Sequence, residues 1–187
     1  MSKHRPDEDR RLMRRVAAGE RSALEEVHAR FSGELFRYVL TLSRNRQTAE
    51  EILQDTLVAV WRGAGTFEGR SGVKAWIFGV ARRQVHNTLR RPKHAWAGEE
   101  DLDMHPSADH GPEEVLLDGV RREELAALVG QLSPVHHEAL ALFFFHELSY
   151  EEIAKVLEVP AGTVKSRLSN AKRALRTMVE ASEVRER

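Results

Sequence analysis

The sequence predicts an all-α protein built from two small helical domains that are joined by an acidic flexible linker. Apolar residues recur at intervals of three and four along several segments, and no alternating apolar pattern is long enough to predict a sheet. The 29 basic and 29 acidic residues balance, but they are segregated along the chain. Residues 61–97 carry eight bases and one acid, whereas residues 98–128 carry two bases and ten acids. Such blocks predict basic surfaces for nucleic acid and a connector that nucleic acid repels.

The linker is predicted where helical periodicity stops. The Arg91-Pro92 step ends a helical pattern, because proline disfavours helical torsions in the residue before it. The stretch from there to Gly111-Pro112 contains glycine, proline and many acids and shows little periodicity. We therefore predict a first domain at 9–91, a linker at 92–112 and a second domain at 113–179.

The composition excludes several classes of protein. The first residues, MSKHRPDEDRR, contain no apolar run, so neither a signal peptide nor a membrane-spanning helix is expected. The absence of cysteine excludes disulfides and thiolate zinc sites within the chain and agrees with a reducing compartment. We therefore expect a cytoplasmic protein that does not insert into membranes.

Nine histidines leave a helical metalloenzyme as one alternative. His136 and His137 are adjacent and so point about 100° apart on a helix, and no HExxH pair is present. The glycines at 63, 65 and 69 do not complete a nucleotide-binding fingerprint, and no serine, histidine and acid set forms a recognisable triad. We expect no catalytic residue, no metal and no cofactor.

Capping signals place the helices of the first domain. A first helix stops at Gly19, and two capping boxes, Ser22 with Glu25 and Thr48 with Glu51, predict the starts of the next two. The predicted buried positions of the first two helices are Leu12, Val16, Leu24, Val27, Phe31, Leu35 and Val39. Those of the next two are Ile52, Leu53, Leu57, Val60 and Trp61, and then Trp76, Ile77, Val80, Ala81, Val85 and Leu89.

The second domain contains a short helix, a tight turn and a basic helix between Leu148 and Leu175. Ser149 and Glu152 form a capping box, and Pro160 ends the short helix. The buried stripe of the following helix is Val164, Leu168, Ala171 and Leu175, and Phe143, Phe144 and Phe145 are expected to cap the core. Ser133 is expected to be the N-cap of an earlier helix with Pro134 at its first position.

The exposed face of that last helix suits DNA. Between Ala161 and Thr177 there are five Lys or Arg residues and no acid. Hydroxyl, amide and basic groups on this face can hydrogen-bond base edges and phosphates in a major groove. An ordinary helical hairpin with a solvated basic face is the alternative, because basic helix faces are common.

The segment SPVHHEALALFFFHELSYEEIAKVLEVPAGTVKSRLSNAKRAL resembles the region 4 domain of bacterial sigma factors of the extracytoplasmic function group. LSYEEIA, GTVKSRL and AKRAL carry the resemblance, and there are two departures: Glu158 stands where the family usually has glycine, and Ser133 replaces a common apolar residue. The resemblance implies contacts with −35 DNA from Thr163, Lys165, Ser166, Arg167, Ser169, Asn170, Lys172, Arg173 and Arg176.

TAEEILQDTLVAVWR resembles the part of the family's region 2 that docks on the clamp helices of RNA polymerase. By that resemblance the polymerase-binding residues are Glu50, Glu51, Gln54, Asp55, Leu57 and Val58. Chemistry alone also allows a solvated acidic first turn, since acids favour helix N-termini.

TFEGRSGVKAWIFGVARRQVHNTLRR resembles the family's −10 recognition and promoter-melting region. A glycine-rich loop beside a basic helix offers a path for a strand and room for an unstacked base. The residues implied for −10 DNA are Phe67, Arg70, Ser71, Lys74, Arg82, Arg83, His86, Asn87, Arg90 and Arg91. Trp61 and Trp76 are expected to lie in the core instead.

The resemblance implies a protein without chemistry of its own that binds core RNA polymerase and directs promoter-specific initiation. Its expected partners are core polymerase, promoter DNA and an anti-sigma factor. The acids Glu99, Glu100, Asp101 and Asp103 suggest that the linker mimics RNA charge in a basic polymerase channel. A conventional helix-turn-helix regulator that binds duplex DNA alone remains the other reading.

Overall fold

The computed structural model describes residues 6–90 and 128–185, and within these ranges it contains helices and no strand. Residues 6–90 belong to one compact unit, and residues 128–154 and 159–185 belong to another. The helical fold class predicted from the sequence is confirmed for these residues. The predicted linker, 92–112, lies outside the described residues.

Residues 6–90 of the first unit form four helices. Its helices are α1 (Pro6–Ala17), α2 (Arg21–Ser43), α3 (Arg46–Gly63) and α4 (Val73–Leu89), with a 3-10 turn at Ala64–Thr66 after α3. Helices α2, α3 and α4 pack on one another, and α1 packs on α2 and on the 3-10 turn. Gly19 ends α1 as predicted and has φ +83°, a conformation that glycine adopts without steric cost.

The core of the first unit is formed largely by the predicted stripe of α2. Val27, Phe31, Leu35 and Val39 are buried, whereas Leu24 is only half-buried. Tyr38 is fully buried as well, although the sequence analysis did not place it in the core. Its ring lies 5.1 Å from the Phe78 ring of α4, so an aromatic pair joins the two helices.

Both predicted capping boxes of the first unit are wrong. Helix α2 begins at Arg21 with Glu20 as its N-cap, so Ser22 lies inside the helix. Helix α3 begins at Arg46, and the Asn45 side-chain oxygen accepts a hydrogen bond of 2.8 Å from the Thr48 N–H. Asparagine is as good an N-cap as serine or threonine, and it comes first in the chain here.

The buried face of α3 differs from the predicted face by a rotation about the helix axis. Ile52 and Val60 are buried as expected, but Leu53, Leu57 and Trp61 are only half-buried. Thr48, Ala49 and Thr56 complete the buried face. The Thr56 hydroxyl donates to the Ile52 carbonyl at 2.7 Å, so its polar group is satisfied inside the core.

Charged residues join α1 to α2. The Arg30 guanidinium lies 3.0 Å from the buried Asp9 carboxylate and 2.6 Å from Glu26. Arg15 lies 2.8 Å from Glu20 and 3.0 Å from Glu26, and its hydrogen bonds to these two carboxylates raise the pKa of Arg15 above its ordinary value. The network joins the side chains of α1 to those at the start of α2.

The second unit contains three helices after the helical residues 128–130. Helix α5 (Pro134–Leu140) continues as a π-helical turn (Ala141–Phe145), and α6 (Tyr150–Leu157) and α7 (Ala161–Arg185) follow. Ser133 is the N-cap of α5 with Pro134 at its first position, as predicted, although the serine side chain makes no capping hydrogen bond. Helix α5 packs on α7.

The three phenylalanines of the π-helical turn do not cap the core as predicted. Leu142, one residue before them, is fully buried. Phe143 and Phe144 are half-buried, and the Phe145 side chain is 57% exposed. This aromatic run therefore faces the surface of the second unit.

Candidate nucleic-acid interface

The start of α6 shows the reciprocal capping box predicted from the sequence. The Ser149 N–H donates to Glu152 Oε2 at 3.0 Å, and the Glu152 N–H donates to Ser149 Oγ at 3.3 Å. The Ser149 hydroxyl also donates to Glu152 Oε2 at 2.9 Å. Two amide groups that helix formation leaves without a backbone partner are thereby satisfied.

The turn between α6 and α7 contains a non-glycine residue in the left-handed region. Glu158 has φ +56°. The Val159 N–H donates to the Ala154 carbonyl at 3.0 Å, and the Thr163 N–H donates to the Pro160 carbonyl at 2.9 Å. The backbone is thus left-handed at the position where the resemblance led us to expect glycine. Glu158 has a Cβ atom and therefore carries steric strain that glycine would avoid.

Helix α7 has the amphipathic division that the sequence predicts. The buried stripe is Val164, Leu168, Ala171 and Leu175. The predicted −35 residues divide into two groups by exposure. Exposed are Lys165, Ser166, Ser169, Asn170, Arg173 and Arg176, and half-buried are Thr163, Arg167 and Lys172. The helix therefore presents a basic and hydrogen-bonding face opposite its packed face.

Hydrogen bonds within α7 organise part of this face. Arg173 donates to the Asn170 side-chain oxygen at 2.9 Å. The Ser166 hydroxyl donates to the Thr163 carbonyl at 2.9 Å, which leaves the serine oxygen able to accept another bond. The Asn170 amide N–H₂ keeps its donors for a partner outside the helix, since its oxygen already receives Arg173.

Aromatic rings that the sequence analysis did not connect with DNA lie beside α7. Lys172 Nζ lies 5.8 Å from the Phe143 ring centre and 5.5 Å from the Phe144 ring centre. Lys165 Nζ lies 6.0 Å from the Tyr150 ring centre. The sequence gives only a weak signal for these contacts, because 15 residues separate Tyr150 from Lys165 and 28 separate Phe144 from Lys172, and the contacts depend on how the helices pack.

Helix α4 carries the basic residues predicted for −10 DNA. Arg83, His86, Asn87 and Arg90 are exposed, and Arg82 is half-buried. These residues recur at helical spacing, so the structure brings them onto the surface of one helix. Arg91 lies outside the described residues.

Lys74 is not part of this exposed basic surface. Its ammonium group lies 2.5 Å from Glu34 Oε2 of α2, and its side chain is only 15% exposed. The same ammonium lies 6.0 Å from the Phe78 ring centre. The sequence predicts Lys74 as a −10 residue, and the structure places it in an ion pair that joins α4 to α2.

The loop before α4 is held by packing and by α1. The Phe67 ring meets the Trp76 ring edge-on at 5.6 Å, and Trp76 is half-buried rather than fully in the core. Arg10 donates to the Gly69 carbonyl at 3.2 Å. Arg70 is exposed and forms an ion pair with Glu68, and Ser71 is half-buried. Part of the Phe67 ring surface is therefore already covered by a contact within the protein.

Helix α3 presents the predicted acidic surface. Glu50, Glu51, Gln54 and Asp55 are exposed. Val58 is 46% exposed and Leu57 is half-buried, which adds apolar area beside the acids. Arg46 pairs with Glu50 at 3.1 Å within the same helix. We call Glu50, Glu51, Gln54, Asp55, Leu57 and Val58 the α3 surface.

Family models match both units of the chain. The model described as Sigma-70 region 2 matches residues 27–95, and the model described as Sigma-70, region 4 matches residues 122–175. The first match contains α3 and α4, and the second contains α5 and α6 and ends within α7.

Characterised relatives align with nearly the whole chain. RNA polymerase sigma-H factor of Pseudomonas aeruginosa is 29% identical over 183 residues, covering 90% of this chain and 92% of the relative. RNA polymerase sigma factor YlaC of Bacillus subtilis is 28% identical, covering 89% and 98%. The ECF RNA polymerase sigma factor SigK of a Mycobacterium species is 28% identical, covering 88% and 87%.

The chain belongs to the extracytoplasmic function group of sigma factors. Sigma factors are transcription initiation factors of RNA polymerase and have no enzymatic activity of their own. The family resemblance recognised in the sequence is thereby confirmed.

Solved structures share the fold of this sigma factor. CnrH, solved in complex with the cytosolic domain of CnrY, superposes with a TM-score of 0.66 at 22% identity, covering 92% of this chain and 97% of CnrH. The sigma factor RpoE of Bartonella quintana, solved with the anti-sigma factor NepR, superposes with a TM-score of 0.62 at 24% identity, covering 83% and 96%.

None of the helices in residues 6–90 and 128–185 is both long enough and apolar enough to span a bilayer. In the same part of the chain, histidine and acidic side chains form no group of three suited to a metal ion.

Proposed function

We propose that this sigma factor binds core RNA polymerase in the cytoplasm and selects promoters through two separate DNA surfaces. Helix α7 enters the major groove of the −35 element. Helix α4 and the loop 67–72 bind the −10 element and hold its strands apart. Specificity then arises when polymerase brings both surfaces to one promoter.

The observation that carries the proposal is the division of α7 into two faces. One face is a continuous buried stripe from Val164 to Leu175. The other is exposed, and the helix has no acid between Ala161 and Thr177. A basic helix in a major groove gains phosphate attraction, while serine and asparagine side chains can read base edges.

The −10 part of the proposal is supported by the surface of α4. Arg83 and Arg90 supply positive charge along the helix, and Asn87 supplies an amide between them. Charge of this kind tracks a nucleic acid backbone, whereas a melted base needs a ring or a small pocket against which to stack. The half-buried Phe67 and Trp76 rings at the edge of the loop offer such a face.

The α3 surface is proposed as the docking site for polymerase. Exposed acids on α3 lie beside the apolar side chains of Leu57 and Val58. Interfaces of this type gain affinity from the buried apolar centre and orientation from the charged rim. A basic surface with an apolar centre is the matching partner.

Two further parts of the proposal concern regulation. The acids Glu99, Glu100, Asp101 and Asp103 lie outside the described residues, and we retain for them the hypothesis of RNA mimicry. An anti-sigma factor is proposed as a partner that restrains this chain, and the solved complex of the sigma factor RpoE with the anti-sigma factor NepR from Bartonella quintana supports this proposal. Neutralising all four acids by amide substitution tests the first point, and unchanged initiation would dismiss it.

The experiment that tests the proposed function is transcription from a randomised promoter library with purified core polymerase. With this chain added, we expect transcripts only from templates that share a −35 and a −10 sequence. A variant with Lys165, Arg173 and Arg176 changed to glutamine should initiate much more weakly on every −35 sequence, while Arg21→Gln, a change of a basic residue on α2, should initiate normally. Sequence-specific duplex binding without polymerase would instead support a conventional regulator.

A further inference from the structure

Three aromatic rings form a continuous row at the surface of the second unit. The Phe143 and Phe144 rings meet edge-on at 4.9 Å with an interplanar angle of 89°. The Phe143 ring also stacks on Tyr150 at 5.3 Å with an angle of 27°. The row therefore links the π-helical turn after α5 to the first residue of α6. We call Phe143, Phe144 and Tyr150 the aromatic row.

The aromatic row is not part of the hydrophobic core. Its two phenylalanines are half-buried, as is Tyr150, although the neighbouring Leu142 has no exposed surface. Rings that serve only as core are more completely covered than this. π-Helical turns are rare in proteins and are frequent at functional sites, so the backbone that presents these rings also points to a role at the surface.

Two lysines of α7 lie over the aromatic row. The Lys172 ammonium lies within 5.8 Å of two ring centres, and the Lys165 ammonium lies 6.0 Å from a third. Aromatic faces attract cations at such distances. The lysines are seven residues apart, so they lie within about 20° of one another around the helix and about 10 Å apart along it. The two ammonium groups therefore lie on the same side of α7, each against a ring of the aromatic row.

A ring can hold an ammonium group without using all its hydrogen bonds. The aromatic face occupies one side of the group, and the remaining N–H bonds point away from the ring toward solvent or a phosphate. A free lysine side chain loses considerable rotamer entropy when it is fixed against DNA. A lysine that is already restrained by a ring loses less on binding.

We propose that Phe143, Phe144 and Tyr150 are positioning residues that set the ammonium groups of Lys165 and Lys172 for phosphate contacts beside the −35 element. The inference rests on the proposed role of α7 in DNA binding. It adds three residues outside α7 that control DNA affinity through contacts with lysine and not through contacts with DNA.

The first test removes single rings and keeps apolar volume. Phe144→Leu and Tyr150→Leu are measured as full-length protein in reconstituted holoenzyme on a promoter selected from the library, with promoter affinity determined over a series of salt concentrations. We expect each variant to bind about 2- to 5-fold more weakly. The ring-preserving variants Phe144→Tyr and Tyr150→Phe should bind as tightly as the unmodified chain. Phe145→Leu serves as a control for the loss of exposed aromatic area.

The second test asks whether the rings act through the lysine. Lys172→Gln should weaken binding and reduce the dependence of log K on log salt concentration by about one unit, because one phosphate contact is lost. Adding Phe144→Leu to Lys172→Gln should cause no further loss, since the ring then has no cation to position. Melting temperatures of all variants show whether a loss comes from unfolding.

Three outcomes would overturn the inference. They are tighter promoter binding by the ring-removal variants, unchanged binding by them, and an equal loss from Phe144→Leu with or without Lys172. The first would mean that the rings hold the lysines away from DNA. Failure of the proposed function is distinguishable, because the unmodified chain would then show no promoter-selective initiation at all.

Discussion

Ser149 and Glu152 cap one another at the start of α6, with the Ser149 N–H bonded to the carboxylate at 3.0 Å and the Glu152 N–H bonded to the serine oxygen at 3.3 Å. Ser149→Ala removes one half of this pair and is expected to destabilise the folded chain by about 1 kcal/mol. Urea unfolding of the purified protein measures the change. Ser22→Ala is the matched control, because that serine caps nothing, and equal losses from the two substitutions would contradict the capping role.

Glu158 provides a prediction about backbone strain. Its φ of +56° is disfavoured for any residue with a Cβ atom. Glu158→Gly should therefore stabilise the chain by about 1 kcal/mol, visible as a higher denaturation midpoint. Glu158→Ala retains the Cβ and should give less than about half of that gain. If alanine stabilises as much as glycine, the gain comes from removing the charge and the strain argument is wrong.

The α7 face predicts two different kinds of DNA-binding defect. Arg176→Gln removes a charge and should weaken binding to all promoter sequences, lowering the salt dependence of binding by about one phosphate. Asn170→Ala removes an amide donor and should change which −35 bases are preferred, with a cost of about 1 to 3 kcal/mol on the preferred sequence. Selection from a −35 library separates the two effects. Identical sequence preference in Asn170→Ala would exclude base reading by that residue.

The α3 surface predicts a defect in polymerase binding that leaves folding intact. Asp55→Lys combined with Val58→Asp reverses one rim charge and places a charge in the apolar centre. Affinity for core polymerase should fall at least about tenfold, equivalent to about 1.4 kcal/mol. Glu25→Lys, which changes an exposed acid of α2, should bind normally. Normal binding by the double variant, measured by fluorescence titration, would remove α3 from the interface.

Local interactions were the part of the fold that sequence predicted best. The Ser149 box and the Ser133-Pro134 start depend on residues within four positions of one another, and both helices begin where these signals predict. The failures at Ser22 and Thr48 have a common reason. Each predicted box lies one turn or less inside a helix that an earlier residue, Glu20 or Asn45, had already started.

Tertiary packing accounts for the remaining differences. The predicted apolar stripe of α3 placed Leu53 and Leu57 inside, yet Thr56 is buried in their place, and its hydroxyl is satisfied by the Ile52 carbonyl. The salt bridge of Lys74 with Glu34, forty residues earlier, was likewise not predicted. Neither relationship leaves a periodic signal along the chain.

The candidate site also divides into local features that the sequence predicts and tertiary contacts that it does not. Periodicity alone correctly separated the buried stripe of α7 from its polar face, because both lie on one helix. The contact of Lys172 with Phe143 and Phe144 could not be predicted, because it depends on the π-helical turn and on how α5 packs against α7.

The central claim is that α7 and α4 contact different promoter elements only within holoenzyme. The chain contains no cysteine, so Ser169→Cys and Asn87→Cys can each carry a tethered DNA-cleaving reagent at a single position. With core polymerase present, we predict cleavage beside the −35 element from position 169 and beside the −10 element from position 87, and no localised cleavage without polymerase. Cleavage of one shared stretch from both positions, or the same pattern from the free protein, would contradict the account.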